Sequence, residues 1–171
     1  MTGVQTCALP ISLILDVGCG AGRDAKFFLD CGLQVIGIDL SEKLIEIAKK
    51  NISNARFYVM DFERLVFPKE KFDGVWASAS LVHLPKERLQ HVIGEIHQIL
   101  RKDGLFFSSF RVGAGERFTE ERRGKAILKR FYSYYKPEEV RQALMKAEFT
   151  IQDEEPDSIN SGDWIFFLAR K

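Results

Sequence analysis

The sequence predicts an α/β domain built on a mostly parallel sheet with helices on both faces. Strand-like and helix-like patterns alternate from Ser12 onward, which is typical of right-handed βαβ units. The first strand pattern, "SLILDVG" at residues 12–18, is a continuous apolar run, and such runs indicate a strand buried on both faces. The last two strand patterns are joined by only a short segment, so they must pair antiparallel.

Seven segments have the composition expected of β-strands. In chain order they are "SLILDVG" (12–18), "QVIGID" (34–39), "ARFYVMD" (55–61), "FDGVWASAS" (72–80), "GLFFSSFRV" (104–112), "FTIQDEE" (149–155) and "WIFFLARK" (164–171). Apolar and β-branched residues are enriched in each.

Helical patterns lie between these strands, and each begins or ends at a recognisable signal. The first ends at Gly32, a residue suited to the position after a helix. Ser41 is expected to cap the second, Pro85 to open the third, and the Lys136-Pro137-Glu138 segment to begin the fourth. The third has an apolar face formed by Leu89, Val92, Ile93, Ile96 and Leu100.

Composition and charge exclude several classes of protein. The chain has 171 residues, of which 46% are hydrophobic, and this suits one domain with a substantial core. A net charge of +1 gives no overall field that would attract nucleic acid or an anionic membrane. The cysteines, Cys7, Cys19 and Cys31, are odd in number and lack metal-ligand spacing. We therefore expect reduced cysteines, a cytoplasmic location and no metal.

The stretch "LILDVGCGAGRD" at residues 13–24 predicts a tight ligand-binding turn after the first strand. No Lys-Ser or Lys-Thr follows the glycines, which excludes a P-loop. A dinucleotide fingerprint counted from Gly18 and Gly20 would need a small residue where Arg23 stands. The residues therefore favour a nucleoside without phosphates over NAD.

Three carboxylates follow three successive strands and support that interpretation. Asp16, Asp39 and Asp61 lie at the carboxyl ends of the first, second and third strands, where open α/β sheets bind ligands. Asp39 is suited to accept both hydroxyls of a ribose, and Asp61 to accept from an exocyclic amine. Together they would attract a cationic nucleoside and repel a pyrophosphate. A helix cap or a solvated loop charge is the alternative role for each.

These segments resemble the successive motifs of the class I S-adenosylmethionine-dependent methyltransferases, in particular the small bacterial type 11 and type 25 domains. The likeness rests on "LDVGCGAGRD", "VIGIDLS", "VMDF", "FDGVWASASLVHLP" and "LRKDGLFFSS", and extends in order to the final "WIFFLARK". The resemblance implies a Rossmann-like fold with a seven-stranded sheet whose last strand is antiparallel. It also implies that S-adenosylmethionine is the cofactor.

The resemblance further implies which residues hold that cofactor. The glycine turn would approach the methionyl part, Asp16 would order the turn and the amine, Asp39 would hold the ribose, and Asp61 with Phe62 would recognise the adenine. The full expected set is Asp16, Gly18, Gly20, Gly22, Asp39, Leu40, Asp61, Phe62, Ala77 and Ser78.

His83, in "SLVHLP" just past the fourth strand, is the candidate base or acceptor contact, because a histidine titrates near neutral pH. A structural histidine that closes the turn by a hydrogen bond is the alternative. The segment after the fourth strand lacks both the Asn/Asp-Pro-Pro-aromatic clamp of enzymes that methylate a flipped base and a nucleophilic cysteine. We therefore expect a small-molecule acceptor and no nucleic-acid partner.

The segment 112–136 is rich in basic residues and follows the fifth strand, where a lid over the substrate would lie. We expect Arg117, Arg130 and Tyr134 to contact the acceptor, since arginine recognises carboxylates well. A solvated basic face, with the tyrosines packed on the next helix, is the alternative.

Residues 1–11, "MTGVQTCALPI", resemble a translated sequencing adapter, and we expect them to be a non-native leader. Residues 12–171 would then be a single domain truncated at its N-terminus, missing a helical segment that closes over the cofactor. An ordinary short leader is the alternative. Two other functions stay open: a non-catalytic or truncation-disabled binder of S-adenosylmethionine and, disfavoured by Arg23, an NAD-dependent oxidoreductase.

Overall fold

The computed structural model describes residues 12–124, 126–156 and 163–171. The prediction about residues 1–11 lies outside this range. The described residues form nine strands: β1 (Leu13–Val17), β2 (Gln34–Asp39), β3 (Arg56–Val59), β4 (Phe72–Ala77), β5 (Leu100–Val112), β6 (Glu116–Arg123), β7 (Ala126–Tyr135), β8 (Thr150–Pro156) and β9 (Trp164–Arg170). The helices are α1 (Arg23–Asp30), α2 (Glu42–Asn51), α3 (Lys86–Ile99) and α4 (Pro137–Lys146), and a short 3-10 turn spans Leu81–His83.

The central sheet is mostly parallel, as the sequence predicts. The strands β3, β2, β1, β4 and β5 lie side by side in that order and pair in parallel. β9 pairs antiparallel with β5 on one side and with β8 on the other. The predicted α/β class, the helices on both faces and the antiparallel last strand are confirmed.

The predicted number of strands needs a correction. Two strands beyond the expected seven, β6 and β7, form an antiparallel hairpin within the segment expected to be a lid. β7 also pairs in parallel with the end of β5, joining Arg111 to Tyr134 and Val112 to Tyr135. The basic residues of this segment hide its strand character, because they alternate irregularly with the apolar residues.

The helices cover the two faces of the sheet with two separate apolar clusters. The smaller cluster joins Ala25 of α1 and Ile45 and Ala48 of α2 to Phe57 of β3. The larger cluster contains the apolar sides of α3 and α4 and the buried residues of β4, β5 and β9. This division follows from the sequence, since each helix has one apolar face that must pack on the sheet.

The predicted helix ends at Gly32 and Ser41 are confirmed. Gly32 has a φ of 83°, its N–H donates to the Leu29 carbonyl, and the Leu33 N–H donates to the Phe28 carbonyl, which is a Schellman motif. The Ser41 hydroxyl accepts the Leu44 N–H and caps α2. Among the described residues, no helix is long and apolar enough to cross a membrane.

Candidate functional site

The glycine turn after β1 has a backbone that only glycine adopts easily. Gly18 has a φ of 71°, and a Cβ built on it would lie 2.5 Å from the Cβ of Ser80. The N–H groups of Gly18 and Cys19 both donate to the Ile38 carbonyl, at 2.8 and 2.9 Å, which fixes the turn against the end of β2. Gly20 also has a positive φ, of 55°, but no atom lies within 4 Å of its Cβ position. A side chain would therefore clash at position 18 but would have space at position 20.

Asp39, the last residue of β2, holds this turn in place. One carboxylate oxygen accepts the Gly20 N–H at 3.0 Å, and the other accepts the Ser41 N–H at 2.8 Å. Each carboxylate oxygen has two lone pairs, so both oxygens keep capacity for a ligand hydroxyl. The carboxylate is thus oriented by the backbone before any ligand arrives.

A cavity of about 370 Å³ lies at the carboxyl edge of the sheet beside this turn, within the usual range for small-molecule sites. It brings together eight of the residues that the sequence singles out: Gly18, Gly20, Asp39, Leu40, Asp61, Phe62, His83 and Arg130. The remaining lining residues are Leu44, Glu63, Ala79, Ser80 and Leu84.

The side of the cavity where the resemblance places the adenine is built from the residues that follow β2 and β3. Asp61 accepts the Glu63 N–H at 2.8 Å, so its carboxylate is held by a local turn. Phe62 packs its ring partly against the larger apolar cluster. Leu40 is 62% exposed and lines the cavity, and an apolar side chain exposed inside a cavity is suited to contact a flat ring.

Asp16 is buried beneath the glycine turn and is electrostatically unusual. Its side chain is 2% exposed, and its Oδ2 atom has no hydrogen-bond partner. Burial, and secondarily the nearby carboxylate of Asp24, raises the pKa of Asp16 to about 7. A buried carboxylate with an oxygen left over is suited to accept from a cationic amine.

His83 ends the 3-10 turn after β4, and its protonation is set by a backbone carbonyl. The Nδ1 atom lies 2.8 Å from the carbonyl oxygen of Phe131 on β7. Because a carbonyl oxygen only accepts, Nδ1 carries the proton and donates it, which leaves Nε2 as the acceptor nitrogen of the neutral ring. The bond reaches β7 and does not close the turn itself; the two expected roles of His83, a base and a structural histidine, stay predictions.

Comparison with known proteins agrees with this architecture. A family model described as a methyltransferase domain matches residues 14–104, which is more than half of the chain. The chain belongs to the methyltransferase domain family. The class I fold and the cofactor S-adenosylmethionine, both predicted from the sequence, are thereby confirmed at the level of the family.

Individual relatives give the same picture. An uncharacterized methyltransferase of Synechocystis is 32% identical over 97 residues, covering 57% of this chain and 46% of that protein. A methyltransferase structure from Methanosarcina mazei superposes with a TM-score of 0.83 at 18% identity, covering 95% of this chain and 93% of that one. This chain spans less than half the length of the curated relatives that it matches.

A third relative was solved with ligands bound. The 1,6-didemethyltoxoflavin-N1-methyltransferase of Burkholderia thailandensis, which contains 1,6-didemethyltoxoflavin and S-adenosylhomocysteine, superposes with a TM-score of 0.75 at 26% identity. The match covers 94% of this chain and 71% of that one.

Four of the residues expected around the methyltransferase cofactor do not line the cavity: Asp16, which is buried beneath the turn, and Gly22, Ala77 and Ser78. Gly22 precedes α1 with a φ of 88°, and a Cβ there would lie 2.6 Å from the Ile52 side chain, so its role in this structure is to pack α1 against α2. Ala77 is the buried last residue of β4, and Ser78 follows it half-buried. Their contact with the cofactor stays a prediction.

Residues just beyond that position line the cavity instead. After β4 the chain takes a left-handed turn at Ala79, with a φ of 52°, which is fixed by an N–H bond to the Ser109 hydroxyl at 2.7 Å. Ala79 and Ser80 are thereby turned into the cavity wall. Ala79 and Ser80 were not predicted from the sequence, because nothing local marks a positive φ at an alanine.

The three residues expected to contact the acceptor separate into two groups. Arg130 lines the cavity and is half-buried. Arg117 lies over the ring of Tyr134 at 3.6 Å, and Tyr134 is 7% exposed, so these two side chains pack on each other outside the cavity lining. Glu63 also lines the cavity but was not predicted from the sequence. Its carboxylate binds the guanidinium of Arg88, which is 25 residues away in the chain.

Proposed function

We propose that this chain transfers a methyl group from S-adenosylmethionine to a small-molecule acceptor in the cavity beside the glycine turn. The observation that carries the proposal is the position of Asp39. Its carboxylate is aligned by the N–H groups of Gly20 and Ser41 and lines the same cavity as Asp61 and Phe62. A ribose flanked by an adenine fits this arrangement.

The residues present fit the cofactor. The space beside Gly20 is open, so a ligand can approach the backbone there. Asp39 would accept the ribose hydroxyls, Asp61 and Phe62 would contact the adenine beside Leu40, and the unpartnered Oδ2 of Asp16 would face the methionyl amine near Ala77 and Ser78. When bound, S-adenosylmethionine supplies an electrophilic methyl group on a sulfonium.

The contribution of the protein to such a transfer is largely positional. Orientation of the two reacting groups can supply roughly 7–11 kcal/mol. The chain provides this through the rigid turn at Gly18 and through the wall formed by Ala79, Ser80 and His83. Exclusion of water by the segment 112–136, which we propose to act as a lid, would add to it.

The free cysteines Cys19 and Cys31 suit a cytoplasmic location, which is part of the same proposal.

Calorimetry with S-adenosylhomocysteine tests the cofactor site directly. We expect Asp39→Ala to weaken binding tenfold or more, because two ligand hydroxyls would lose their acceptor at about 1–3 kcal/mol. The matched control is Asp30→Ala, which removes an exposed carboxylate paired with Lys26 on the surface. Equal affinity of Asp39→Ala and the wild type, or binding of NADH in place of S-adenosylhomocysteine, would refute the assignment.

Transfer of a labelled methyl group into a small-molecule extract, followed by mass spectrometry, tests catalysis. Labelled product supports the proposed reaction. Binding of S-adenosylhomocysteine without any labelled product supports the alternative, a non-catalytic binder.

A further inference from the structure

The two sides of the cavity have opposite charge. Asp39 and Asp61 lie on one side, at the carboxyl ends of β2 and β3. Arg130 of β7 and the imidazole of His83 belong to the other side, which is formed by the hairpin and the turn after β4. A cationic nucleoside is attracted to the acidic side, so the basic side is left for the second substrate.

Several hydrogen bonds hold the hairpin, which contains Arg130, against the residues around the start of α3. The buried Ser133 hydroxyl donates to the Leu84 carbonyl at 2.7 Å. The Lys86 N–H donates to the Glu116 carboxylate at 2.6 Å, and His83 donates to the Phe131 carbonyl, the residue next to Arg130. These bonds hold the strand that contains Arg130 next to the turn that contains His83.

From this arrangement we infer that the methyl acceptor is a small organic acid that carries an ionisable hydroxyl or N–H group. Arg130 binds its carboxylate or a similar anionic group, because a guanidinium offers five N–H donors and pairs well with planar anions. His83 accepts the proton of the reacting group at Nε2. The inference rests on the proposed function and names its substrate class.

The proton balance of the reaction closes without another reactant. The lone pair of the acceptor atom forms the new bond to the methyl carbon, and the electron pair of the breaking carbon–sulfur bond stays on sulfur. The proton of the acceptor atom moves to Nε2, and the imidazolium returns it to water after product release.

The test compares carboxylates with their uncharged carboxamides, using wild-type protein saturated with S-adenosylhomocysteine. Benzoate, salicylate, 4-hydroxybenzoate and nicotinate are titrated to about 10 mM beside the matching amides, and binding is followed by ligand-observed NMR. We expect the acids to bind at least tenfold more tightly than the amides. Equal affinities, or the absence of binding by every acid, would overturn the inference.

Two variants test whether Arg130 causes the preference for acids over amides. Arg130→Gln should remove the preference for acids and leave S-adenosylhomocysteine affinity within about twofold of the wild type. Arg122→Gln is the control, because Arg122 is an exposed arginine of the same hairpin that strand alternation places on the opposite face from Arg130. A preference that survives in Arg130→Gln, or that is lost in both variants, contradicts the role of Arg130.

The tautomer of His83 can be measured without an activity assay. A long-range ¹H–¹⁵N spectrum should show the tautomer with the proton on Nδ1, and a proton on Nε2 would exclude His83 as the base. Failure to bind S-adenosylhomocysteine refutes the proposed function itself. Binding of it without a preference for acids refutes only the substrate class.

Discussion

The two sides of the cavity are built in different ways. The side that we propose for the cofactor is held by bonds between two adjacent strands: the turn at Gly18 and Gly20 bonds to the end of β2, at Ile38 and Asp39. The acceptor side depends on a hairpin that meets the turn after β4 through contacts 48 and 49 residues apart in the chain, from His83 to Phe131 and from Leu84 to Ser133.

The two sides of the cavity also differ in whether they lie inside the range matched by the family model. The family match covers residues 14–104 and contains the whole cofactor side, whereas the hairpin follows it. A binding site for one fixed cofactor can be encoded by a compact motif, since the ligand to be bound does not change. A site for a variable substrate is carried by an attached segment, which can change without altering the turn.

Replacement of Gly18 should have the largest effect. In Gly18→Ala the new Cβ would lie 2.5 Å from Ser80 on a backbone with a φ of 71°. We expect the free energy of unfolding to fall by about 3–5 kcal/mol, as measured by urea denaturation. Gly20→Ala is the matched control: it has space for a Cβ and should cost only about 1–2 kcal/mol, while S-adenosylhomocysteine binding weakens. Equal losses of stability in the two variants would show that position 18 has space for a side chain.

Asp16→Asn tests the buried carboxylate through pH. Since the pKa of Asp16 is raised from 3.8 to about 7 in the folded state, the folded protein holds this proton more tightly than the unfolded chain. The carboxylate therefore destabilises the protein progressively as pH rises from about 4 to 7. We expect the stability of the wild type relative to Asp16→Asn to fall by about 2–3 kcal/mol between pH 5 and pH 8. A difference that does not change with pH would contradict the raised pKa.

Ser133→Ala tests the anchor of the hairpin. The mutation leaves the Leu84 carbonyl without its donor in a buried position, which should cost about 1–2 kcal/mol by thermal denaturation. Affinity for S-adenosylhomocysteine should stay unchanged, because the cofactor side does not depend on this bond. Ser53→Ala, at an exposed serine, is the control. A comparable loss of cofactor affinity would show that the two sides are coupled.

Arg117→Ala should have the smallest effect. Its guanidinium stacks on Tyr134 outside the cavity lining, and an exposed contact of this kind contributes about 0.5–1 kcal/mol. We expect a slightly lower melting temperature and unchanged binding of both S-adenosylhomocysteine and the carboxylate probes. Arg122→Ala provides the comparison for a surface arginine of the same hairpin. Loss of carboxylate binding in Arg117→Ala alone would return Arg117 to the acceptor site.

Much of the cofactor side could be predicted from the sequence because its signals are local. Asp39 follows a strand directly, Gly18 and Gly20 follow another, and both strands are adjacent in a parallel sheet. The carboxyl ends of parallel strands share one edge, so order along the chain was enough to bring these residues together. Ala79 and Ser80, which also line the cavity, could not be predicted, since no local signal marks the left-handed turn at Ala79.

The sequence by itself determined the α/β class, the helix ends at Gly32 and Ser41, and that Gly18, Gly20, Asp39 and Asp61 lie at one edge of the sheet. Each follows from a period, a cap or a glycine whose signal lies within a few residues. Only the tertiary structure decided that residues 116–123 and 126–135 form a hairpin, that Arg130 lines the cavity while Arg117 stacks on Tyr134, and which nitrogen of His83 bonds to a carbonyl. The position of the hairpin beside the cavity depends on bonds between residues 48 and 49 positions apart, which exist only once the sheet has formed.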